Sequence, residues 1–468
     1  MPRELEVGIV GAGIGGLMGA IAIAQAGAKV TVLEAASQLG EIGAGIQMTP
    51  NVARLLKKHG VDCTIGKDLT RFSDLYLRRQ DGTPVGYTRI SRVEEATGQP
   101  WWLVHRHHLH TGLVEVARRN GVNIIIDSRV TRLSQEATSR VSVATEAGKI
   151  YSFDLVIGAD GVQSIVRRTL FPEVKPRPPT GNCAYRAIVP YDQVRADPIT
   201  RPLVEDSSGN LVRRMEVWMG PTGYIISYPI SDAKDFNMVL SHFREPPVSQ
   251  VQEVSIDEVR NEYKGYDPRI QRIIEMIKPP ISRWPLLVTG PLESWSNPEK
   301  NIVLMGDAAH SMTNHMAQGA ATSMEDGVFL ARCLKEVVDG RMSRTDAISV
   351  YEKGRMPKAS YKQQLSYLNG WIWHLPDGPA QQARDQAMEL ELDGQVPIQS
   401  PNLYGDPVVV QECYGYDAEA HAEDEIATTL NHGAVVRDAA TTVDAASAQK
   451  TVNWFLPDGH KFEIKPKL

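Results

Sequence analysis

The chain has 468 residues, of which 42% are hydrophobic and 23% are charged, and its formal net charge is −6. This length and composition are typical of a globular protein with about two to three domains. The mild negative charge disfavours nucleic acid and anionic membrane surfaces as main partners. No segment has the unbroken apolar length of a membrane span, and the first apolar residues predict a strand rather than the core of a signal peptide.

The cysteines are scattered along the chain without paired spacing, at positions Cys63, Cys183, Cys333 and Cys413. This arrangement predicts neither a disulfide framework nor a metal site. A reducing, cytoplasmic location is therefore expected.

The first predicted elements are a strand, a glycine turn, a helix and a second strand over residues 6–35, which together form a βαβ unit. The turn has the pattern GxGxxG, whose glycines allow a tight turn, a close approach of backbone to a pyrophosphate, and close helix packing. Glu34 ends the second strand, where a carboxylate can accept both ribose hydroxyl hydrogens and would repel a 2′-phosphate. The alternative is a glycine-rich turn with Glu34 merely on the surface. The predicted dinucleotide contacts of this unit are Gly11, Gly13, Ile14, Gly16, Glu34 and Ala35.

Further along the chain, helices are predicted at 53–61 and 108–121, and short buried strands at 123–130, 154–161 and 301–309. Residues 75–90 have an Asp-Gly turn between alternating residues, which predicts a hairpin. The same alternation recurs over residues 185–243, between two proline-rich segments at 172–180 and 277–286.

We interpret these patterns as an α/β chain with a Rossmann-like dinucleotide-binding domain, an inserted β-sheet domain and a helical C-terminal region. The predicted nucleotide-binding domain is discontinuous and comprises residues 1–70, 98–178 and 283–360. The predicted β-sheet substrate domain comprises residues 71–97 and 179–282. Residues 361–468 form the predicted helical and irregular C-terminal region.

A second turn that faces a ligand is predicted late in the chain, where Asp307 follows a buried strand. NAD needs one fingerprint, whereas FAD is long enough to need a second anchor, so this turn favours FAD. Asp307 is expected to bind ribityl hydroxyls or the pyrophosphate side. A helix predicted over 317–337 would direct the backbone N–H groups near Gly319 and Ala320 at the pyrimidine edge of the flavin, where negative charge collects on reduction.

These motifs occur in the order found in the single-component FAD-dependent aromatic hydroxylases, which the chain resembles over roughly residues 6 to 340. The resemblance rests on the fingerprint with Glu34, "ADG" at 159–161, "GDAAH" at 306–310, and "QGA" and "ED" in the following helix. "EIGAGIQMTPNVARLL" at 41–56 and "YGYDAEA" at 414–420 are also similar to segments of the family. The nearest resemblance is to salicylate hydroxylase and its hydroxybenzoate relatives, which implies a p-hydroxybenzoate-hydroxylase-like fold.

The resemblance implies several further cofactor contacts. Arg106 would contact an FAD phosphate, although a surface arginine is the usual alternative. Val130 would meet the adenine through its backbone, and Asp160 with Gly161 would lie near the pyrophosphate and the nicotinamide reductant. Gly45 belongs to the family-like segment and is included among the expected contacts.

The family's chemistry implies that NADH or NADPH reduces noncovalent FAD and that a flavin C4a-hydroperoxide hydroxylates a phenolic or related aromatic substrate. Salicylate-type hydroxylation with loss of CO2 is the leading specific hypothesis. Hydroxylation, epoxidation or dearomatisation of a larger natural-product ring is the main alternative. A flavin-dependent halogenase and a non-enzymatic redox-sensing flavoprotein are less favoured alternatives. The expected partners are the substrate, O2 and NAD(P)H, and the protein is expected to be a monomer or homodimer.

Four residues are candidates for the chemistry. Arg186 can pair its guanidinium with a substrate carboxylate or phenolate. Tyr228 can hydrogen-bond a substrate oxygen, and Gln47 can line the flavin face or relay a proton. For Arg186 and Tyr228, packing within the sheet is the alternative. Tyr224 stands where hydroxybenzoate relatives often carry a histidine base. An ordinary phenol is a poor base at neutral pH, but Tyr224 could still relay a proton or stack on the substrate.

Two further features have competing interpretations. His315 could replace the missing base, but a solvent-facing loop histidine is the favoured interpretation. The tryptophans at 101, 102, 371 and 373 are expected to be packing residues rather than substrate platforms. "WIWHLP" at 371–376 resembles a tryptophan motif of halogenases, but its position after the flavin helix indicates a coincidence.

Overall fold

The computed structural model describes residues 4–40, 43–136, 139–432, 453–457 and 459–462. Residues 433–452, 458 and 463–468 of the predicted C-terminal region lie outside the described residues, as do residues 1–3, 41–42 and 137–138 of the predicted nucleotide-binding domain. Among the described residues, no helix combines the length and the apolar composition that crossing a bilayer requires.

The strands are numbered in chain order. They are β1 (Glu6–Val10), β2 (Lys29–Leu33), β3 (Gly45–Met48), β4 (Thr70–Arg71), β5 (Asp74–Arg79), β6 (Pro84–Arg89), β7 (Trp102–His105), β8 (Asn123–Ile125), β9 (Val130–Gln135), β10 (Val141–Thr145), β11 (Ile150–Phe153), β12 (Leu155–Gly158), β13 (Asn182–Pro190), β14 (Arg214–Met219), β15 (Gly223–Ile230), β16 (Asp235–Phe243), β17 (Gln252–Val254), β18 (Ile281–Pro285) and β19 (Ile302–Leu304).

The helices are numbered in the same way. They are α1 (Ile14–Gln25), α2 (Pro50–Lys58), α3 (Val61–Ile65), α4 (Ile90–Thr97), α5 (Arg106–Arg119), α6 (Ile165–Leu170), α7 (Tyr191–Ala196), α8 (Ile256–Glu262), α9 (Pro268–Met276), α10 (Asp307–His310), α11 (Gly319–Val338), α12 (Arg344–Trp373), α13 (Pro379–Leu392), α14 (Pro407–Val409) and α15 (Ala418–His432).

A parallel sheet with the order β19-β12-β1-β2-β8 forms the centre of the nucleotide-binding half. Strands β1, β12 and β19 are almost wholly buried, as expected for strands covered on both faces, whereas the edge strand β8 is partly exposed. The carboxyl ends of parallel strands meet at one edge of a sheet, which is where such folds bind ligands. The turns that follow β1, β12 and β19 therefore converge at that edge.

Helices α1 and α11 cross at this edge with almost no side chain between them. A Cβ built on Gly327 of α11 would lie 2.6 Å from the Cα of Gly19 on α1, closer than real Cβ atoms approach. The glycine pair thus allows the two helices, and with them their N-termini, to approach closely. The pattern also explains why both helices carry glycine at buried positions.

The second large sheet has the order β17-β18-β13-β16-β15-β14-β5-β6. The predicted hairpin at 75–90 is confirmed as β5 and β6, which pair antiparallel, and β5 joins the later strands through parallel pairing with β14. Two separate stretches of chain thus form one sheet, as the inserted-domain interpretation expects. The domain boundaries themselves stay a prediction, and β18 extends beyond the predicted limit at residue 282.

The remaining elements differ from the sequence predictions in detail. The single strand predicted at 123–130 is wrong: β8 ends at Ile125, and Asp127 adopts a φ of 51° before β9 begins at Val130. Apolar residues alone could not reveal this left-handed turn. The predicted helix at 53–61 is two helices, α2 and α3, separated by Gly60 with a φ of 72°.

Candidate functional site

A cavity of about 350 Å³ lies between the converging turns, strand β3 and the inner face of the large sheet. Trp373 and Tyr404 of the C-terminal region also line it. Both glycine-containing turns predicted from the sequence border it. The cavity combines backbone N–H groups of two helix N-termini with an aromatic wall and two arginines, Arg106 and Arg186. This is a concave site whose lining combines apolar and polar side chains, as a small-molecule site requires.

The first turn has the geometry that a pyrophosphate needs. Gly11 has a φ of 105°, and a Cβ on Gly16 would lie 2.2 Å from the Gly11 carbonyl oxygen. In contrast, a Cβ on Gly13 would meet no atom within 4 Å, although Gly13 lines the cavity. The outer two glycines are therefore required by the protein itself, whereas Gly13 leaves space open for a ligand. Ile14, the first residue of α1, also lines the cavity.

Glu34 lies beside this turn and is half-buried. Its carboxylate accepts hydrogen bonds from the backbone N–H groups of Ala12 (2.7 Å) and Ala36 (2.8 Å). Ala35 lies between these contacts, and the Ser128 N–H binds the Glu34 carbonyl at 2.7 Å. The last contact brings the segment leading to Val130 next to the end of β2. Among the described residues, Glu34, Ala35 and Val130 lie outside the lining of the cavity itself.

The second turn follows β19. Gly306 has a φ of 61°, a left-handed conformation that glycine adopts without strain, and a Cβ there would lie 2.7 Å from the Ser323 hydroxyl oxygen. Asp307 begins α10, is exposed and lines the cavity. Gly319 and Ala320, the first residues of the 20-residue helix α11, line the same cavity. The structure thus brings the early and late turns to one space.

Of two residues predicted from the family resemblance, Arg106 lines the cavity and Asp160 does not. Arg106 is the first residue of α5, is half-buried and lines the cavity. The carboxylate of Asp160 instead accepts hydrogen bonds from the Ser164 hydroxyl (2.5 Å) and the Ile165 N–H (2.7 Å), at the start of α6. Burial raises the pKa of Asp160. Gly161 lines the cavity, but Asp160 is not among its lining residues.

Strand β15 supplies the aromatic wall with a period of two. Tyr224, Ile226 and Tyr228 face the cavity, and Arg186 reaches it from β13. Burial raises the pKa values of both tyrosines well above the ordinary value of a phenol. The positive charge of the nearby Arg186 lowers these pKa values, but by less. Both phenols are therefore uncharged hydrogen-bonding groups at neutral pH. The Arg186 guanidinium lies 5.4 Å from the ring of Trp284.

Strand β3 covers the cavity from the other side. A Cβ on Gly45 would lie 2.6 Å from the Tyr228 ring, and the Gly45 N–H donates to the Asn237 side-chain oxygen at 2.6 Å. Gln47 on the same strand is 5% exposed and lines the cavity. Its Oε1 accepts from no donor within the described part of the chain. An unpaired, buried acceptor is costly unless a ligand or water supplies a donor.

The prediction that His315 faces solvent is wrong, because the residue is only 3% exposed. Its ring packs over Gly370 of α12, where a Cβ would lie 2.8 Å from the imidazole, and its carbonyl accepts from the Asn369 amide at 2.7 Å. Burial lowers the pKa of His315 to about 3. It lies behind Tyr224, whose hydroxyl donates to Asn314 Oδ1 at 2.9 Å. His315 does not line the cavity.

The tryptophans divide into two groups. Trp101 and Trp102 are buried packing residues, as predicted, and Trp371 packs against Phe462. For Trp373 the packing interpretation is incomplete, because this residue lines the cavity and contacts Tyr224 edge to face at 4.8 Å between ring centroids. Tyr404 also lines the cavity and was not predicted. It lies in an irregular segment, so no periodic signal marks it.

The comparisons with known proteins agree with this geometry. The family described as the FAD binding domain matches residues 4–184 and 293–364. The chain is 30% identical over 437 residues to the FAD-dependent monooxygenase OpS4 of Beauveria bassiana (strain ARSEF 2860), covering 91% of this chain and 98% of the relative. It is 32% identical over 382 residues to the 3-hydroxybenzoate 6-hydroxylase of Polaromonas naphthalenivorans (strain CJ2), covering 80% and 89%.

Solved structures share the fold at lower identity. A crystal structure of CtdE in complex with FAD and substrate 4 superposes with a TM-score of 0.75 at 20% identity, covering 92% of this chain and 99% of that one. A salicylate hydroxylase substrate complex superposes with a TM-score of 0.71 at 21% identity, covering 91% and 98%.

The chain belongs to the family of FAD-dependent aromatic monooxygenases. It is an enzyme, an FAD-dependent aromatic monooxygenase. The predicted resemblance, fold class, cofactor and enzyme class are thereby confirmed. The roles of individual residues stay predictions.

Proposed function

We propose that this enzyme hydroxylates a single-ring phenolic acid of the hydroxybenzoate type. The observation that supports this most is the meeting of Arg186 with the buried phenols of Tyr224 and Tyr228 in one aromatic-walled cavity. A guanidinium fits a carboxylate or phenolate, and the neutral tyrosines offer hydrogen bonds to a substrate oxygen. The curated relatives include hydroxylases of 3-hydroxybenzoate and 6-hydroxynicotinate, which carry an acid and a ring hydroxyl.

We assign the FAD contacts to the two turns and their neighbours. When bound, FAD would accept electrons from NAD(P)H and use them to activate O2. The contacts proposed for the nucleotide end are Gly11, Gly13, Ile14, Gly16, Glu34, Ala35, Arg106, Val130, Asp160 and Gly161. Those proposed for the flavin end are Gly45, Asp307, Gly319 and Ala320. The open space at Gly13 and the shared cavity of the two turns support this assignment for the residues that line the cavity, and the family resemblance supports it for the others.

On the substrate side, Arg186 holds an anionic substrate oxygen and favours the phenolate, the more electron-rich form of the ring. Tyr228 and Tyr224 orient the ring as neutral donors or acceptors, because burial raises the pKa of both. Tyr224 is accordingly not the base. Gln47 accepts a hydrogen bond from the substrate or the flavin, which would satisfy its unpaired Oε1.

The proposed flavin contacts and the proposed substrate contacts border the same cavity, so the substrate ring would lie next to the flavin. We place single-ring acids ahead of larger natural products because relatives named by substrate include hydroxylases of 3-hydroxybenzoate and 6-hydroxynicotinate. The halogenase alternative has less support, because no lysine occurs among the described residues that line the cavity.

The proposal is tested with a panel of salicylate, 3-hydroxybenzoate, dihydroxybenzoates, neutral phenols, indoles and fused-ring phenols. NADH and NADPH consumption is recorded, and products are identified by mass spectrometry. A phenolic acid should stimulate NAD(P)H consumption and gain an oxygen atom. Accompanying loss of CO2 would identify salicylate-type chemistry, and retention of the carboxylate would identify ring hydroxylation. Oxygenation of fused rings alone would contradict the single-ring proposal.

We further propose the domain division given by the sequence, a monomeric or homodimeric state, no membrane or nucleic-acid partner, and a cytoplasmic location. The four cysteines are unpaired, which supports the location. Analytical ultracentrifugation tests the oligomeric state, and a larger assembly would contradict it.

A further inference from the structure

A buried charge network lies directly behind the two turns. Its centre is the consecutive pair Glu325 and Asp326 on α11, bridged by Arg355 of α12; the three residues are at most 1% exposed. The Arg355 Nε donates to Asp326 Oδ1 at 2.8 Å, and its Nη2 donates to Glu325 Oε2 at 2.9 Å. One guanidinium thus binds two different carboxylates.

Asp326 connects this network to the turn that follows β19. Its Oδ2 accepts from the backbone N–H of Gly306 at 3.0 Å and is in hydrogen-bond contact with His310 Nε2 at 2.5 Å. Gly306 and the adjacent Asp307 line the cavity. The position of this turn is therefore set from behind by one carboxylate.

Glu325 connects the network to the start of α11. Its Oε1 accepts from the Asn51 amide at 2.6 Å, and the same amide donates to Gln318 Oε1 at 3.0 Å. Gln318 is the residue before Gly319, and Gly319 lines the cavity. Lys362 donates to Glu325 Oε1 at 2.6 Å and balances the second carboxylate.

From this geometry we infer that Arg355 is a positioning residue that fixes the Gly306–Asp307 turn and the Gln318–Gly319 helix start relative to each other. The inference rests on the proposed assignment of both turns to FAD. Buried charges are stable only when paired, so the carboxylates hold their positions through the guanidinium between them. Loss of the bridge should displace the two turns relative to each other, and with them the contacts to the flavin.

The "YGYDAEA" segment takes part in the same network. The Arg355 Nη1 donates to the Tyr416 hydroxyl at 2.9 Å, and that hydroxyl is in hydrogen-bond contact with His421 Nδ1 at 2.9 Å. The C-terminal helix α15 is thereby joined to the support of the flavin turns. This gives the family-like segment a physical role that its sequence alone did not reveal.

The test is Arg355→Lys, which keeps one buried positive charge but replaces the planar fork, whose Nε and Nη2 each reach a different carboxylate, with a single nitrogen. FAD release from the diluted holoenzyme is followed by flavin fluorescence, and the midpoint potential of bound FAD is measured without substrate. We expect release about tenfold faster, since residues in such networks typically alter coupling by roughly this amount. The potential should fall, because a displaced helix start stabilises reduced flavin less.

Arg332→Lys is the matched control, since Arg332 lies on α11 but pairs at the surface with Glu423. Asp307→Ala serves as the reference for a direct contact and should also accelerate FAD release. If Arg355→Lys does not fold, Tyr416→Phe, which removes one Arg355 acceptor, should show a smaller change in the same direction. A lower Tm with unchanged FAD release and unchanged potential would overturn the inference. If Asp307→Ala also leaves FAD release unchanged, the assignment of the turns to FAD fails instead.

Discussion

At the scale of single residues, the cavity wall distinguishes groups that carry charge from groups that only form hydrogen bonds. Arg186 brings a positive charge to the wall built by the uncharged phenols Tyr224 and Tyr228. His315 is neutral and lies behind that wall. An anionic substrate oxygen therefore has Arg186 as its charged partner on the substrate side.

Arg186→Gln should weaken the binding of a phenolic acid. A hydrogen bond to a charged group contributes about 1.5–3 kcal/mol, so the dissociation constant should rise roughly 10- to 150-fold. Substrate binding is measured from the change in flavin absorbance, and FAD content should stay at the wild-type level. Arg213→Gln, at an exposed ion pair with Asp232, is the control. Equal affinity of the two variants would show that Arg186 does not bind the substrate anion.

His315 should make the protein acid-sensitive. Its pKa in the folded state is about 3, below the ordinary 6.5, so the unfolded chain takes up the proton first. The stabilisation is complete above pH 6.5 and is lost as the pH falls from 6.5 towards 3. At about pH 5 the free energy of unfolding is lower by roughly 2 kcal/mol than it is above pH 6.5.

His315→Gln removes this titration. The decrease in the free energy of unfolding between about pH 7.5 and about pH 5, measured by urea denaturation, should be smaller in the variant than in the wild type. His107→Gln is the control, because that ring is exposed. If the free energy of unfolding decreased as much in His315→Gln as in the wild type, the buried imidazole would not contribute to the acid sensitivity.

At the scale of elements, the two turns use glycine for different purposes. Gly16 and Gly306 are required by contacts within the protein, since a Cβ at either would lie less than 3 Å from a neighbouring atom. Gly13 has no such neighbour. A methyl group there should therefore mainly affect what enters the cavity, beside a small cost at the N-cap of α1.

Gly13→Ala should fold with a stability within about 1 kcal/mol of the wild type, since Gly13 is the N-cap of α1, and should retain FAD poorly. A crowded contact typically costs about 1–3 kcal/mol, which corresponds to roughly a 5- to 150-fold loss of affinity. Thermal denaturation of the protein without FAD measures the first property, and equilibrium titration with FAD measures the second. Gly40→Ala, also without neighbours within 4 Å, should change neither. A loss of stability without a loss of affinity would contradict the assignment of Gly13 to the pyrophosphate.

At the scale of the whole molecule, one sheet and one C-terminal segment complete a site that the nucleotide-binding half begins. Strand β15 supplies Tyr224 and Tyr228, while Trp373 and Tyr404 come from residues more than a hundred positions later. The cavity exists only when all three parts pack together. Its aromatic wall therefore depends on tertiary structure rather than on a local motif.

This explains which features could be predicted from the sequence. The fingerprint with Glu34, the late turn at Asp307 and the hairpin at β5–β6 depend on backbone geometry that particular residues require, and their patterns are local. The burial of His315 depends on Gly370, which lies on a helix far away in sequence. The bridge from Arg355 to two carboxylates is likewise invisible without the crossing of α11 and α12.

The most direct test of the account is oxygen transfer from isotopically labelled O2 to the most active phenolic acid of the panel, followed by mass spectrometry. One labelled oxygen atom is expected in each product molecule, together with consumption of NAD(P)H. NAD(P)H oxidation that yields only hydrogen peroxide with every compound, or a product whose new oxygen comes from water, would contradict it.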